Sequence, residues 1–158
     1  MAGRSLAGLL DDYDTKIRHA AANGKRFRFL VMNPDNPSLM NAVSDTSSSH
    51  PDALTVVQEV RDAIFRFNLI VENSPKDSIE LRVMDYIPPH AYRIVDGRKP
   101  SGQMVVEQFG YKISTSERLH MHLTRAADSQ SFTFYLEQFD RMWRDARPVS
   151  EGSLRQTA

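Results

Sequence analysis

The stretch AYRIVDGRKPSGQMVVEQFG, Ala91–Gly110, decides the fold. It holds two short β runs, AYRIVD and GQMVVEQFG, joined by DGRKPSG, a turn bearing Gly and Pro. Asp96-Gly97 closes the first run, with Gly97 expected to supply a positive φ. Before this stretch the chain alternates helix and strand. After it come one further β run, RLHMHL, and one amphipathic helix.

Upstream, Ser5–Asn23 reads as a helix. Leu6, Leu9, Leu10, Tyr13, Ile17, Ala20 and Ala21 recur at helical spacing, Ser5 can cap the start, and Gly24 is placed to end it in a left-handed conformation. KRFRFLVM follows as a strand entering the interior of a sheet, with Phe27, Phe29 and Val31 on one face. NPDNPS, Asn33–Ser38, ends that strand as a turn. The polar, Ser-rich stretch Asn41–Ser49 reads as a loop, either a plain surface connection or a lid over a pocket at the strand's carboxyl end. Pro51 suits a first helical position, with His50 or Ser49 before it. The helix it starts carries Leu54, Val57, Val60, Ile64, Phe67 and Val71, and a broad apolar stripe implies burial against both a sheet and a second subunit. IELRVMD is a second strand, so the helix between the two is a crossover that favours a parallel pair. At the other end SFTFYLEQFDRMWRDA places Phe132, Leu136, Phe139 and Trp143 on one stripe. Residues 1–149 form one domain, and 150–158 a polar, frayed tail.

The 158 residues can bury a real core, and 41% hydrophobic with 25% charged residues is ordinary globular composition. Twenty basic residues balance twenty acidic ones, which gives no electrostatic case for duplex nucleic acid or an anionic membrane. With no cysteine, disulfides, thiolate zinc sites and cysteine nucleophiles are excluded. No secretory signal and no apolar run of ~20 residues is present, and the expectation is a cytoplasmic protein without cofactor. Neither GxxxxGK[ST] nor GxGxxG nor GxSxG occurs.

The order of these words resembles one repeat of the phospholipase D-like superfamily, from the first helix to about Val149. "NGKRFRFLVMNP" is similar to its lead-in, "IELRVMD" to the next parallel strand, and "YRIVDGR" to the strand and turn that carry the HxKxxxxD signature. "ISTSERL" stands where that family has Gly-Ser before Asn, and "FYLEQFDRMWRDARPV" resembles its closing helix. The resemblance implies an α/β fold with a mixed, mainly parallel sheet flanked by helices, as a single repeat that pairs as a homodimer. It also implies lost chemistry. Aligning Asp96 on the signature puts Pro89 at the nucleophilic His and Ala91 at the Lys, and anchoring on His90 puts Tyr92 at the Lys and Gly97 at the Asp. Proline cannot attack phosphorus, and alanine cannot donate to a phosphate oxygen.

The candidate ligand-binding residues are His90, Arg93, Thr115, Ser116, Arg118, His120 and His122. Arg93 suits phosphate, because a guanidinium grips two oxygens at once. Strand alternation, however, sets it opposite His90 and Tyr92. Thr115, Ser116 and Arg118 form a hydroxyl-hydroxyl-x-Arg cluster that reads as an anion site or as a polar turn. His120 and His122 share one strand face, yet no third metal ligand is identifiable, so a half-polar sheet face is the plainer reading and no metal is expected. The expected function is therefore a non-catalytic ligand-sensing, regulatory or protein-interaction module for a phosphate-containing or other anionic ligand. Similar small domains stand beside bacterial helix-turn-helix regulators, which makes a regulatory protein partner natural and direct nucleic-acid binding by this chain not expected. The alternative is a homodimeric phosphodiesterase or nuclease using His90 or His120.

Overall fold

The computed structural model describes residues 1–4, 6–48 and 52–149, the side chain of Thr115 excepted. The expected cap at Ser5, the helix start at Ser49 to Pro51 and the tail 150–158 lie outside the described residues.

Helix α1, Ala7–Ala22, ends at Gly24 with φ 78°, the left-handed conformation that a residue without Cβ adopts freely. Strand β1, Phe27–Met32, follows, then α2, Pro37–Thr46. This second helix replaces most of the expected Asn41–Ser49 loop. Asn36 caps it by accepting the Leu39 N–H at 3.1 Å, and Pro37 occupies its first turn. Its buried Leu39, Met40 and Val43 give it a core face. Helix α3, Ala53–Glu72, is capped by Asp52 and crosses to β2, Ile79–Met84. β1 and β2 pair in parallel over their full length, from Phe27↔Ile79 to Met32↔Met84, as the crossover requires.

The remaining strands overturn the mainly parallel, phospholipase D-like sheet. β3, His90–Val95, β4, Gln103–Gln108, and β5, His120–Thr124, form an antiparallel meander. β6, Arg147–Pro148, adds a short antiparallel edge to β2. Of the four ladders among the described residues, only β1–β2 is parallel. The link 96–102 between β3 and β4 explains why. It is far shorter than the dozen or more residues that a parallel crossover needs, so it can only turn the chain back. The left-handed residue in this turn is Asp96, at φ 48°, rather than Gly97. Gly97 is needed for space: a Cβ there would lie 2.8 Å from Ile94 and 3.1 Å from Leu136.

Two three-stranded sheets result, β1-β2-β6 and β3-β4-β5. Residues 1–4 join them. Ala2 bridges Leu30 of β1 in parallel and Tyr92 of β3 antiparallel. Helix α4, Ser129–Asp145, packs on β2 and β5 on one side, where Arg28 lies over the Phe139 and Trp143 rings. The next residue of β1 points the other way, and Phe29 packs 4.5 Å from the Phe67 ring of α3. Helices α1 and α2 rest on α3. One core runs through all layers, from Leu10, Phe29 and Phe67 to Tyr92, Phe132 and Trp143. No helix among the described residues is long and apolar enough to cross a membrane.

Candidate functional site

Register and alternation build the site. Across the meander Ala91 faces Glu107 and then His120, while Arg93 faces Val105 and then His122. Residues two apart on a strand share a face, so Arg93, Glu107, His120 and His122 project together. The opposite face carries Tyr92, Met104 and Val106, all buried.

The Glu107 carboxylate is the hub. Arg118 Nη1 lies 2.7 Å from Oε1, His120 Nε2 lies 3.4 Å from Oε2, and Arg93 Nη2 lies 3.8 Å from Oε2. The side chains of Glu107 and Arg118 are only 13% and 16% exposed, whereas Arg93 is 42% exposed and open to solvent. Beside them Phe109 is gripped by two guanidiniums, Arg4 at 4.5 Å and Arg118 at 5.1 Å from its centroid. Such stacking suits a weakly hydrated guanidinium. Arg4 Nε is buried without a hydrogen-bond partner. Burial, then repulsion by Arg118, lowers the Arg4 pKa, while Glu107 and Glu59 oppose the shift. Arginine stays charged regardless. Two arginines thus meet one carboxylate at a partly desolvated place, with Arg4 beside Arg118 on the Phe109 ring and two imidazoles on the same strand face.

The other predicted residues are placed differently. Ser116 lies in the 3-10 turn Thr115–Glu117, its hydroxyl 2.9 Å from that of Ser114, which donates to Glu117 at 2.6 Å. This turn closes on itself and does not reach Glu107 through any hydrogen bond found among the described residues. His90 stands on the α4 side, opposite Arg93 as alternation demands. Its ring meets Tyr135 edge-on at 5.5 Å, and Nδ1 is 3.4 Å from the Tyr92 hydroxyl. Burial lowers its pKa, so the ring is neutral at pH 7. Among the described residues no group of three or more potential ligands is placed to hold a metal ion.

Glu107, Arg4 and Phe109 were not singled out from the sequence. Glu107 had one available signal, a lone acid on a β run otherwise facing cations. Arg4 had none, because it belongs to the site only through the segment inserted between the two sheets.

A second polar cluster sits at the carboxyl end of the parallel pair, where ligands bind in open α/β sheets. Asp85 accepts from Asn33 Nδ2 at 2.5 Å and Asn36 Nδ2 at 3.3 Å, and Arg147 Nε lies 3.4 Å away. The Asn33 hydrogen bond leads in holding this carboxyl below its ordinary value. With its oxygens already engaged, Asp85 clamps the strand ends and the α2 start rather than offering a vacant site.

A family model described as a domain of unknown function (DUF5919) matches residues 2–150. Comparison with curated proteins and with solved structures returns no match.

Proposed function

We propose, for this chain that belongs to the DUF5919 family, a non-catalytic role: it binds a phosphate-containing or other anionic ligand on the open face bearing Arg93, Arg118, His120 and His122. One observation carries this reading. Arg93 and Arg118 share the carboxylate of Glu107, Arg118 also repels the buried Arg4 beside it, and an anion would relieve the repulsion between these like charges. Arg93, the most exposed of the Glu107 partners, is the donor that would meet the ligand first. A sensing or regulatory role, cytoplasmic and with a protein partner, belongs to the same proposal. So does self-association, for which exposed Leu54, Phe65 and Leu69 on α3 supply apolar surface.

Titration calorimetry at low salt with inorganic phosphate and phosphorylated small molecules tests the reading. Saturable binding is expected, and Arg93→Ala weakens it about tenfold, the worth of one charge-assisted contact of ~1.4 kcal/mol. Binding that is indifferent to Arg93→Ala and Arg118→Ala removes the site.

A second reading rests on His120, whose imidazole approaches the Glu107 carboxylate that two arginines also meet. Imidazole, carboxylate and cation together can move a proton and stabilise a phosphoryl oxygen. Hydrolysis of bis-p-nitrophenyl phosphate that disappears in His120→Ala, with folding retained, would favour the phosphodiesterase over the binding module.

A further inference from the structure

The charges of this neutral chain are unevenly spread, and a positive stretch also lies away from the sheet face described above. Along α4 runs an open groove of about 490 Å³ lined by Arg28, Arg98, Arg141 and Arg144 with Glu137, Asp140 and Trp143. A second hollow of about 320 Å³ adds Arg125 and shares Arg98, Glu137 and Asp140 with the first, so the two are continuous. Five guanidiniums stand against two carboxylates there, a surplus of three charges. They come from β1, the β3–β4 turn, the turn after β5, and α4.

Their internal partners leave donors over. Asp140 takes Arg98 at 2.7 Å on one oxygen and Arg28 at 3.3 Å on the other, which holds two like charges side by side. Arg141 meets Glu137 only at 3.8 Å, with both side chains 60% exposed, a pair worth little in water. Arg125 gives one N–H to the Gly97 carbonyl at 2.9 Å. A guanidinium has five N–H donors in a planar fork, so each retains donors for a ligand.

We propose that this groove is a second, separate site, which binds a small molecule carrying clustered phosphates, of the pyrophosphate or triphosphate type. Three features select this chemistry. Closely spaced guanidinium forks match closely spaced phosphate oxygens. The hollow has the size of a small-molecule site. A long nucleic acid fits worse, because the indole of Trp143 is 7% exposed and flanked by Arg28 and Arg82 at 5.3 and 4.4 Å, leaving no free ring for a base to stack on. A balanced total charge also gives no long-range pull on a polyanion.

The test is calorimetry on the whole chain at low salt with inorganic tripolyphosphate, pyrophosphate, monophosphate and a single-stranded oligonucleotide. One tight tripolyphosphate per chain is expected at this groove, apart from any weaker anion on the sheet face, and it binds at least ~100-fold more tightly than monophosphate, since each added charge-assisted contact contributes about tenfold. The double variant Arg98→Ala/Arg144→Ala weakens it at least ~10-fold by the same reckoning. Should that variant lose its circular dichroism, Arg141→Gln decides instead, with a loss of about threefold. Arg93→Ala, on the sheet face, leaves the tight tripolyphosphate phase unchanged, which separates this site from the one proposed above. No saturable binding of tripolyphosphate, binding insensitive to the groove variants, binding abolished by Arg93→Ala, or no preference over monophosphate each overturns the proposal. Tighter binding of the oligonucleotide than of tripolyphosphate overturns it in favour of a nucleic-acid surface.

Discussion

Tyr92 donates its backbone N–H to the Ala2 carbonyl at 2.7 Å, and its own carbonyl accepts the Ala2 N–H at 3.0 Å. This reciprocal pair is the hinge line of the molecule, because Gly3 N–H donates on the other side to the Leu30 carbonyl at 3.1 Å. Residues 1–4 thereby stitch the parallel pair to the antiparallel meander. They also bring Arg4 onto Phe109.

Ala2→Pro removes the N–H given to Tyr92 and adds bulk where Ala2 is fully buried. A loss of ~3 kcal/mol is expected. The urea midpoint should fall accordingly. A variant as stable as the parent would show that the two sheets do not depend on this stitch.

Glu107→Gln keeps the shape of the hub and deletes its charge, so Arg93 and Arg118 lose their shared counterion and Arg4 keeps only the weaker help of Glu59. Stability at low salt should fall by about 1–3 kcal/mol, and added salt should recover part of it by screening the exposed members. The same substitution raises the local positive potential and should tighten anion binding. Unfolding curves at low and high salt check the first expectation, and phosphate titration checks the second.

Asp85 sets the acid limb. The Asn33 hydrogen bond, helped by Asn36 and Arg147, depresses its folded pKa below the ordinary ~3.9. A depressed carboxyl contributes stability above its unfolded pKa and loses it as pH falls through the folded value. The Asp85 side chain is 49% exposed, so solvent screens much of this charge, and Asn33→Ala should cost about 1 kcal/mol at pH 7 and less below pH ~4. A residual cost should persist in acid, because Asn33 Oδ1 also accepts the Asp35 N–H at 3.1 Å. Urea unfolding of both proteins from pH 7 to pH 3 measures the difference.

At the alkaline end the governing groups are phenols. Burial, then Tyr135 and Tyr86, pushes Tyr92 up to about 12, and burial, then Asp145, pushes Tyr86 up to about 12. The unfolded chain ionises these phenols from about pH 10, so their contribution is whole below that value and drains away as pH rises towards 12. Tyr92→Phe should flatten this limb by on the order of 2 kcal/mol between pH 10 and 12. Denaturation at stepped alkaline pH, compared with the parent, reads it directly.

Elements with a local signal were legible in the sequence. The helical spacing of Leu54, Val60, Ile64 and Phe67 gave α3, and that crossover gave the parallel β1–β2 pair. The sheet as a whole departs from the resemblance at one local feature, the short link between Val95 and Gln103, which forces an antiparallel return. Helix α2 was hidden by NPDNPS, which reads as a turn although Asn36-Pro37 is also a helix start. Part of the site could be read, since Arg93, Arg118, His120 and His122 stand on or beside neighbouring strands of one meander. The Arg4 contact and the arginine groove could not. Arg28 and Arg98 meet on Asp140 from positions 112 and 42 residues away, a separation over which no periodicity extends.

Trp143 is the chain's single tryptophan; it lines the arginine groove, and Arg28 and Arg82 lie over its ring. The molecule therefore carries its own optical reporter. Ultraviolet emission from this one fluorophore should change when the proposed polyphosphate enters the groove, with no label attached and no second indole to dilute the signal.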